Sequence, residues 1–144
     1  MNVQYTGAAP GIWTADVVAA RAKAARESAA CIVVACKPLD QCGNCRRVAA
    51  VLESAEFMAV AQQRGWYLVY LVKGVDPLWP SYIAGPALRL PIISRYAPLD
   101  GCLAKRVAYS AEMTTPSGLI RLIDSMLAGR VPAPVKSWWM FWKR

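Results

Sequence analysis

The stretch Cys36–Arg47, CKPLDQCGNCRR, holds the residues best suited to chemistry in this 144-residue chain. Cys42 and Cys45 frame a Gly-Asn pair, and Arg46 and Arg47 stand directly behind them. Thiols at this spacing can close a small disulfide ring, hold a metal, or simply fill a core. The chain has five cysteines and no histidine. Cys36, Cys42, Cys45 and Cys102 could together supply four sulfurs, but zinc sites usually show two short-spaced pairs. The second pair is missing, so no metal is expected. Cys31 and Cys102 read as small core residues, as free cysteines commonly are.

The odd cysteine count disfavours a secreted disulfide framework. The opening MNVQYTGAAPGIW lacks a basic lead followed by an apolar core, so no secretory signal is expected. Together these favour a reducing, cytoplasmic setting, where a CxxC is read as redox or metal chemistry before it is read as a staple. The hydrophobic fraction is 56%, which disfavours disorder. No apolar run approaches the ~20 residues of a membrane-spanning helix. Net charge is +8, but the basic residues are scattered in small clusters, so nucleic-acid binding is not favoured.

The elements that must position the cysteines follow from local pattern. Residues 1–13 read as an irregular arm. Thr14 reads as an N-cap with Asp16 in the first turn, opening an alanine-rich helix that ends near Ala29. CIVVACK, short and β-branched, suits a buried strand. Behind the CxxC, Val48, Val51, Leu52 and Ala55 share one helical face, with a restart or kink at Ser54 and a close at Gly65. WYLVYLVK is a second buried strand. VDPLWPSYIAGPALR reads as a loop with at most one short helix. LPIISRYA and CLAKRVAY form an antiparallel hairpin, and TPSGLIRLIDSMLAG is a last helix with Pro116 at its first position. This order predicts an α/β sandwich with a mixed four-stranded sheet over residues 14–129.

The order resembles the thioredoxin family over roughly Thr14–Ala128. The resemblance rests on a strand running into Cys42-Gly43-Asn44-Cys45 at a helix start, on Pro91 opening the next-to-last strand, and on the hairpin and closing helix. It implies a three-layer thioredoxin-like sandwich and a thiol–disulfide oxidoreductase without a cofactor. Cys42 would be the nucleophile, its thiolate stabilised by the helix N-terminus. Cys45 would be the resolving thiol. Arg46 and Arg47 should lower the Cys42 pKa further. Pro91 takes the position of the family's cis-proline, and with Leu90, Gly43, Asn44 and Trp79 would shape the groove for protein disulfide or dithiol substrates. Tyr82 would help line it.

Three departures matter. The family's buried carboxylate, six residues before the first cysteine, is Cys36 here. A neutral thiol cannot perform the same proton transfer at neutral pH. The usual tryptophan before the first cysteine is Gln41, and the usual proline inside the motif is Asn44. Losing that proline points to a more oxidising couple.

After Gly129 the chain reads RVPAPVKSWWMFWKR. Pro132 and Pro134 make a stiff spacer, and Trp138, Trp139, Phe141 and Trp142 are suited to a protein interface. The tail could also fold back on its own domain or lie at a membrane interface, the less favoured reading. A second function therefore stands beside the enzyme. It is a non-catalytic thioredoxin-like subunit of a larger assembly, such as a virion or secretion complex, docked by residues 130–144.

Overall fold

A computed structural model describes residues 1–82, 89–97 and 102–128, by backbone alone at 97 and 102–105. Five strands form one mixed sheet: β1 (Trp13–Thr14), β2 (Cys31–Cys36), β3 (Tyr67–Val72), β4 (Ile92–Ala97) and β5 (Cys102–Val107), in the order β1-β3-β2-β4-β5. The described helices are α1 (Val17–Glu27), α2 (Gly43–Leu52), α3 (Ala55–Gln63) and α4 (Pro116–Ala128).

β2 is central. It pairs in parallel with β3, from Cys31 opposite Tyr67 to Cys36 opposite Val72, and antiparallel with β4. β4 and β5 form the expected antiparallel hairpin. The side chains of β2 alternate between two cores. Ile32, Val34 and Cys36 pack with residues of α2, α3 and α4. Cys31, Val33 and Ala35 pack with Val17, Ala20 and Ala24 of α1. Helices therefore cover both faces, which is why β2 reads as an uninterrupted apolar run rather than an alternating one.

The sheet has five strands, not the expected four. Trp13 and Thr14 pair in parallel with Leu68 and Val69, and Gln4 bridges to Thr14 outside them. Trp13 is buried, stacks on Phe57, and donates its indole N–H to the Leu52 carbonyl. This aromatic anchor holds β1 to the sheet, so the strand crosses the expected arm boundary at residue 13. A two-residue strand is too short to carry a period of its own. The first helix also starts later than expected. Asp16, not Thr14, is the N-cap, with Oδ1 accepting from Ala19 N–H and Oδ2 from Gly7 N–H. Thr14 donates its hydroxyl to the Gly7 and Gln4 carbonyls instead.

The helix behind the CxxC does break, where Ser54 caps α3 by accepting from Phe57 N–H at 3.3 Å. The result is that α2 is a ten-residue element whose N-terminus lies beyond the C-terminal end of β2. A short 3-10 turn, Leu39–Gln41, joins the two.

Replacing Asp16 with alanine should cost about 1 kcal/mol of stability at neutral pH, as loss of a helix cap does. The Gly7 N–H, then the Ala19 N–H, hold the Asp16 carboxyl below its ordinary value. A lowered folded value gives stabilisation that is complete above the unfolded pKa near ~3.9 and is lost as pH falls through the folded one. Urea unfolding should show the gap between wild type and D16A closing in acid; a gap independent of pH would contradict this role.

Candidate active site

Cys42 is the N-cap of α2. Its backbone is extended (φ −146°, ψ 110°) and its Sγ accepts the Cys45 N–H at 3.2 Å. A cap with this geometry satisfies one of the four free N–H groups that begin any helix. The sulfur thus sits where the helix dipole favours negative charge. Cys42 is partly exposed, whereas Cys45, on the inner face of α2, is fully buried with Cys36 and Val48. All of these cysteines are thiols.

The register of β2 explains the meeting of Cys36 and Cys45. Alternation turns Cys36 toward the α2 face of the sheet, together with Val34 and Ile32. Its carbonyl accepts two hydrogen bonds, from Lys73 N–H at 2.9 Å and from the Trp79 indole N–H at 2.8 Å. The Cys45 thiol interacts with both the Cys36 and the Cys42 thiol. Among the described residues, no three ligating side chains converge as a metal site needs.

The electrostatics differ from the sequence expectation. Burial, followed by the hydrogen bond with Cys45, raises the Cys42 thiol. Cys45 is drawn down, to about 6, first by the hydrogen bond with Cys36, then by those with Cys42 and the Lys37 N–H, against the cost of burial. Cys36 is pushed strongly up, by the same bond to Cys45 and by burial. The first proton therefore leaves the Cys42/Cys45 pair as a unit, while Cys36 keeps its own.

Arg46 and Arg47 were expected to depress Cys42 directly. Their guanidinium groups are committed elsewhere. Arg46 donates to the Leu39 carbonyl at 2.7 Å, clasping the loop, and Arg47 donates to Asn44 Oδ1. Both lie within 3.6 Å of the space a Cβ on Gly43 would occupy. They are exposed, and solvent screening weakens their pull on the sulfur.

The Leu90–Pro91 peptide is cis. Ile92 pairs with Ala35 in the antiparallel ladder, and continuing that register sets Pro91 opposite Cys36, at the CxxC end of the sheet. Leu90 and Cys42 pack against the same core. Trp79 and Tyr82 do not line an open groove. Each is only 5% exposed, and both pack in the α1-side core. Trp79 spends its N–H on Cys36, and Tyr82 accepts from Arg21. Three prolines around two aromatics suit a loop; the indole bond to Cys36 is what turns Trp79 inward. The tail residues Trp138, Trp139, Phe141 and Trp142 lie outside the described residues.

No protein-family model and no curated protein matches the sequence. Among solved structures the chain is similar to one described as "Crystal structure of ferredoxin: thioredoxin reductase and thioredoxin f2 complex". The TM-score is 0.54 at 14% identity, over 85% of this chain and 98% of that one. This likeness shows a thioredoxin-related α/β fold. Among the described residues no helix is long and apolar enough to cross a membrane.

Iodoacetamide applied to the native, reduced protein should label Cys42 in preference to Cys31, Cys36 and Cys45. Cys31 is buried and its thiol is pushed up to about 12, mainly by burial. Peptide mass mapping checks this; labelling of Cys31 or Cys36 at a rate near that of Cys42 would contradict the arrangement.

Proposed function

We propose that the protein is a thiol–disulfide oxidoreductase that works through Cys42 and Cys45. The observation that carries this reading is the cap itself. A partly exposed thiol accepts a helix N-terminal N–H, and a buried thiol lies in hydrogen-bonding contact behind it.

In the reducing direction, the Cys42 thiolate attacks one sulfur of a substrate disulfide. A Cys42–substrate bond forms, the substrate S–S bond breaks, and the electron pair leaves on the second substrate sulfur. Cys45 then attacks Cys42 Sγ, closing the Cys42–Cys45 disulfide and releasing the substrate as a dithiol. The oxidising direction runs the same steps backwards. The two thiols carry the electron pair, so no cofactor is required. A low Cys45 value fits both steps. A proton moving from Cys42 to a Cys45 thiolate makes the exposed thiol nucleophilic without charging the core further.

Protein disulfides or dithiols are the proposed substrates. Gly43 and Asn44 in the first turn of α2, with Leu90 and the cis-Pro91 at the same end of the sheet, are the proposed contacts for the substrate chain. Arg46 and Arg47 serve this surface as screened positive charge and as a clasp on the loop. The aromatic tail is proposed as a docking element for a protein partner, and the cytoplasm as the working compartment.

Dithiothreitol-driven reduction of insulin tests the reading. Wild type should accelerate it, and Cys42→Ser should reduce the acceleration at least a hundredfold. Cys45→Ser should instead accumulate a mixed disulfide on Cys42, visible as an adduct by intact mass. Wild-type protein no faster than buffer, with no adduct on C45S, would reject the enzyme and favour an assembly subunit.

A further inference from the structure

The second chemical step exposes a problem that the geometry answers. Once Cys42 is tied to substrate it has no S–H left, and Cys45 must act as a thiolate inside a core from which solvent is excluded. Burying an unpaired anion is costly. No carboxylate stands at residue 36 to take the proton.

Two groups near the Cys45 sulfur can donate to it in that intermediate: the Lys37 backbone N–H and the Cys36 thiol. We propose that Cys36 is a positioning residue whose thiol donates a hydrogen bond to the Cys45 thiolate, sustaining the resolving nucleophile in place of a base. Cys36 neither gains nor loses electrons. Its proton stays on its own sulfur, while the Cys45 proton passes out by way of the substrate thiolate released when the mixed disulfide forms. Cys45 then bonds to Cys42, the Cys42–substrate bond breaks, and the pair departs on the substrate sulfur.

Three observations support this role. The backbone of Cys36 is held at the end of β2 by two donors on one carbonyl, from Lys73 and Trp79. This fixes the direction in which its side chain leaves the sheet. Cys36 and Cys45 share one dry cluster with Val34, Val48 and Tyr70, where a hydrogen bond to an anion counts for more than in water. The titratable neighbours also leave the Cys36 proton in place. Cys45 and Cys42 of α2 oppose ionising Cys36 and outweigh Tyr70 of β3, whose hydroxyl favours it; Tyr70 is itself raised, burial first, with Glu53 after α2 acting in the same sense. Lys37 supplies positive charge to Cys45.

The inference rests on the dithiol reading above, and one experiment separates the two. Protein is mixed with a single equivalent of dithionitrobenzoate in a stopped-flow instrument. Attack by Cys42 releases one thionitrobenzoate, and resolution by Cys45 releases the second. A wild type that stops at one equivalent per reagent defeats the dithiol reading. Where wild type releases two, the pH profile of the second phase tests Cys36. Cys36→Ala should raise its apparent pKa by about one, slowing the phase about tenfold at pH values below both pKa values. Cys36→Ser, which keeps a donor, should recover most of the rate. Cys36→Val supplies the donor-free case if the alanine variant does not fold. A second phase with the wild-type pH profile in either donor-free variant, or a serine variant as slow as they are, overturns the proposal.

Discussion

Every side chain of β2 is buried, and the strand is hydrogen-bonded along both edges, to β3 and to β4. A strand in that position has no tolerance for unpaired backbone groups, so the place where its ladder ends is sharply defined. That place is Cys36. Its carbonyl is taken by Lys73 and Trp79, its side chain turns to the α2 face, and the chain leaves through a short turn into the N-cap of α2. The site is a consequence of how β2 stops. The last inward residue of the strand and the first inward residue of the helix meet as two thiols, and the cap residue sits partly exposed above them.

The electrostatic balance follows from the same placement. A helix N-terminus favours an anion at Cys42, but burial opposes it, and Cys45 behind it offers the charge a second location. With Cys36 in the last position of β2, no carboxylate is buried among the described residues. A carboxylate there would compete with the thiolates for the same few donors. A thiol that keeps its proton joins the donors instead. On the proposed reading, the departure at Cys36 changes the way the resolving thiol is handled.

Much of this was legible in the sequence. The apolar runs of β2 and β3, the hairpin, the break at Ser54 and the position of the CxxC at a helix start all rest on strong local patterns, and the structure has each of them. Other features depend on contacts between residues far apart in the chain. Trp13 reaches Leu52 and Phe57, and nothing in two residues of strand announces it. Trp79 reaches Cys36, so an aromatic in a proline-rich loop became core. Thr14 and Asp16 are both good caps, and the choice between them was made by Gly7, whose N–H reaches Asp16. The partners of Arg46 and Arg47 are within one or two helical turns, yet charge alone predicted a pull on Cys42 and not a clasp on Leu39 and Asn44.

The central claim is that Cys42 and Cys45 form a working dithiol/disulfide couple, and its reduction potential is the most direct test. The protein would be equilibrated in glutathione buffers of graded potential, quenched with acid, and alkylated for mass mapping. The account predicts a reversible two-electron transition confined to Cys42 and Cys45. Because a thiolate of the Cys42/Cys45 pair is favoured in the reduced form, its midpoint should be more oxidising than the value of about −270 mV typical of thioredoxin. Cys42 and Cys45 remaining thiols across the whole range, or oxidising without return, would contradict it.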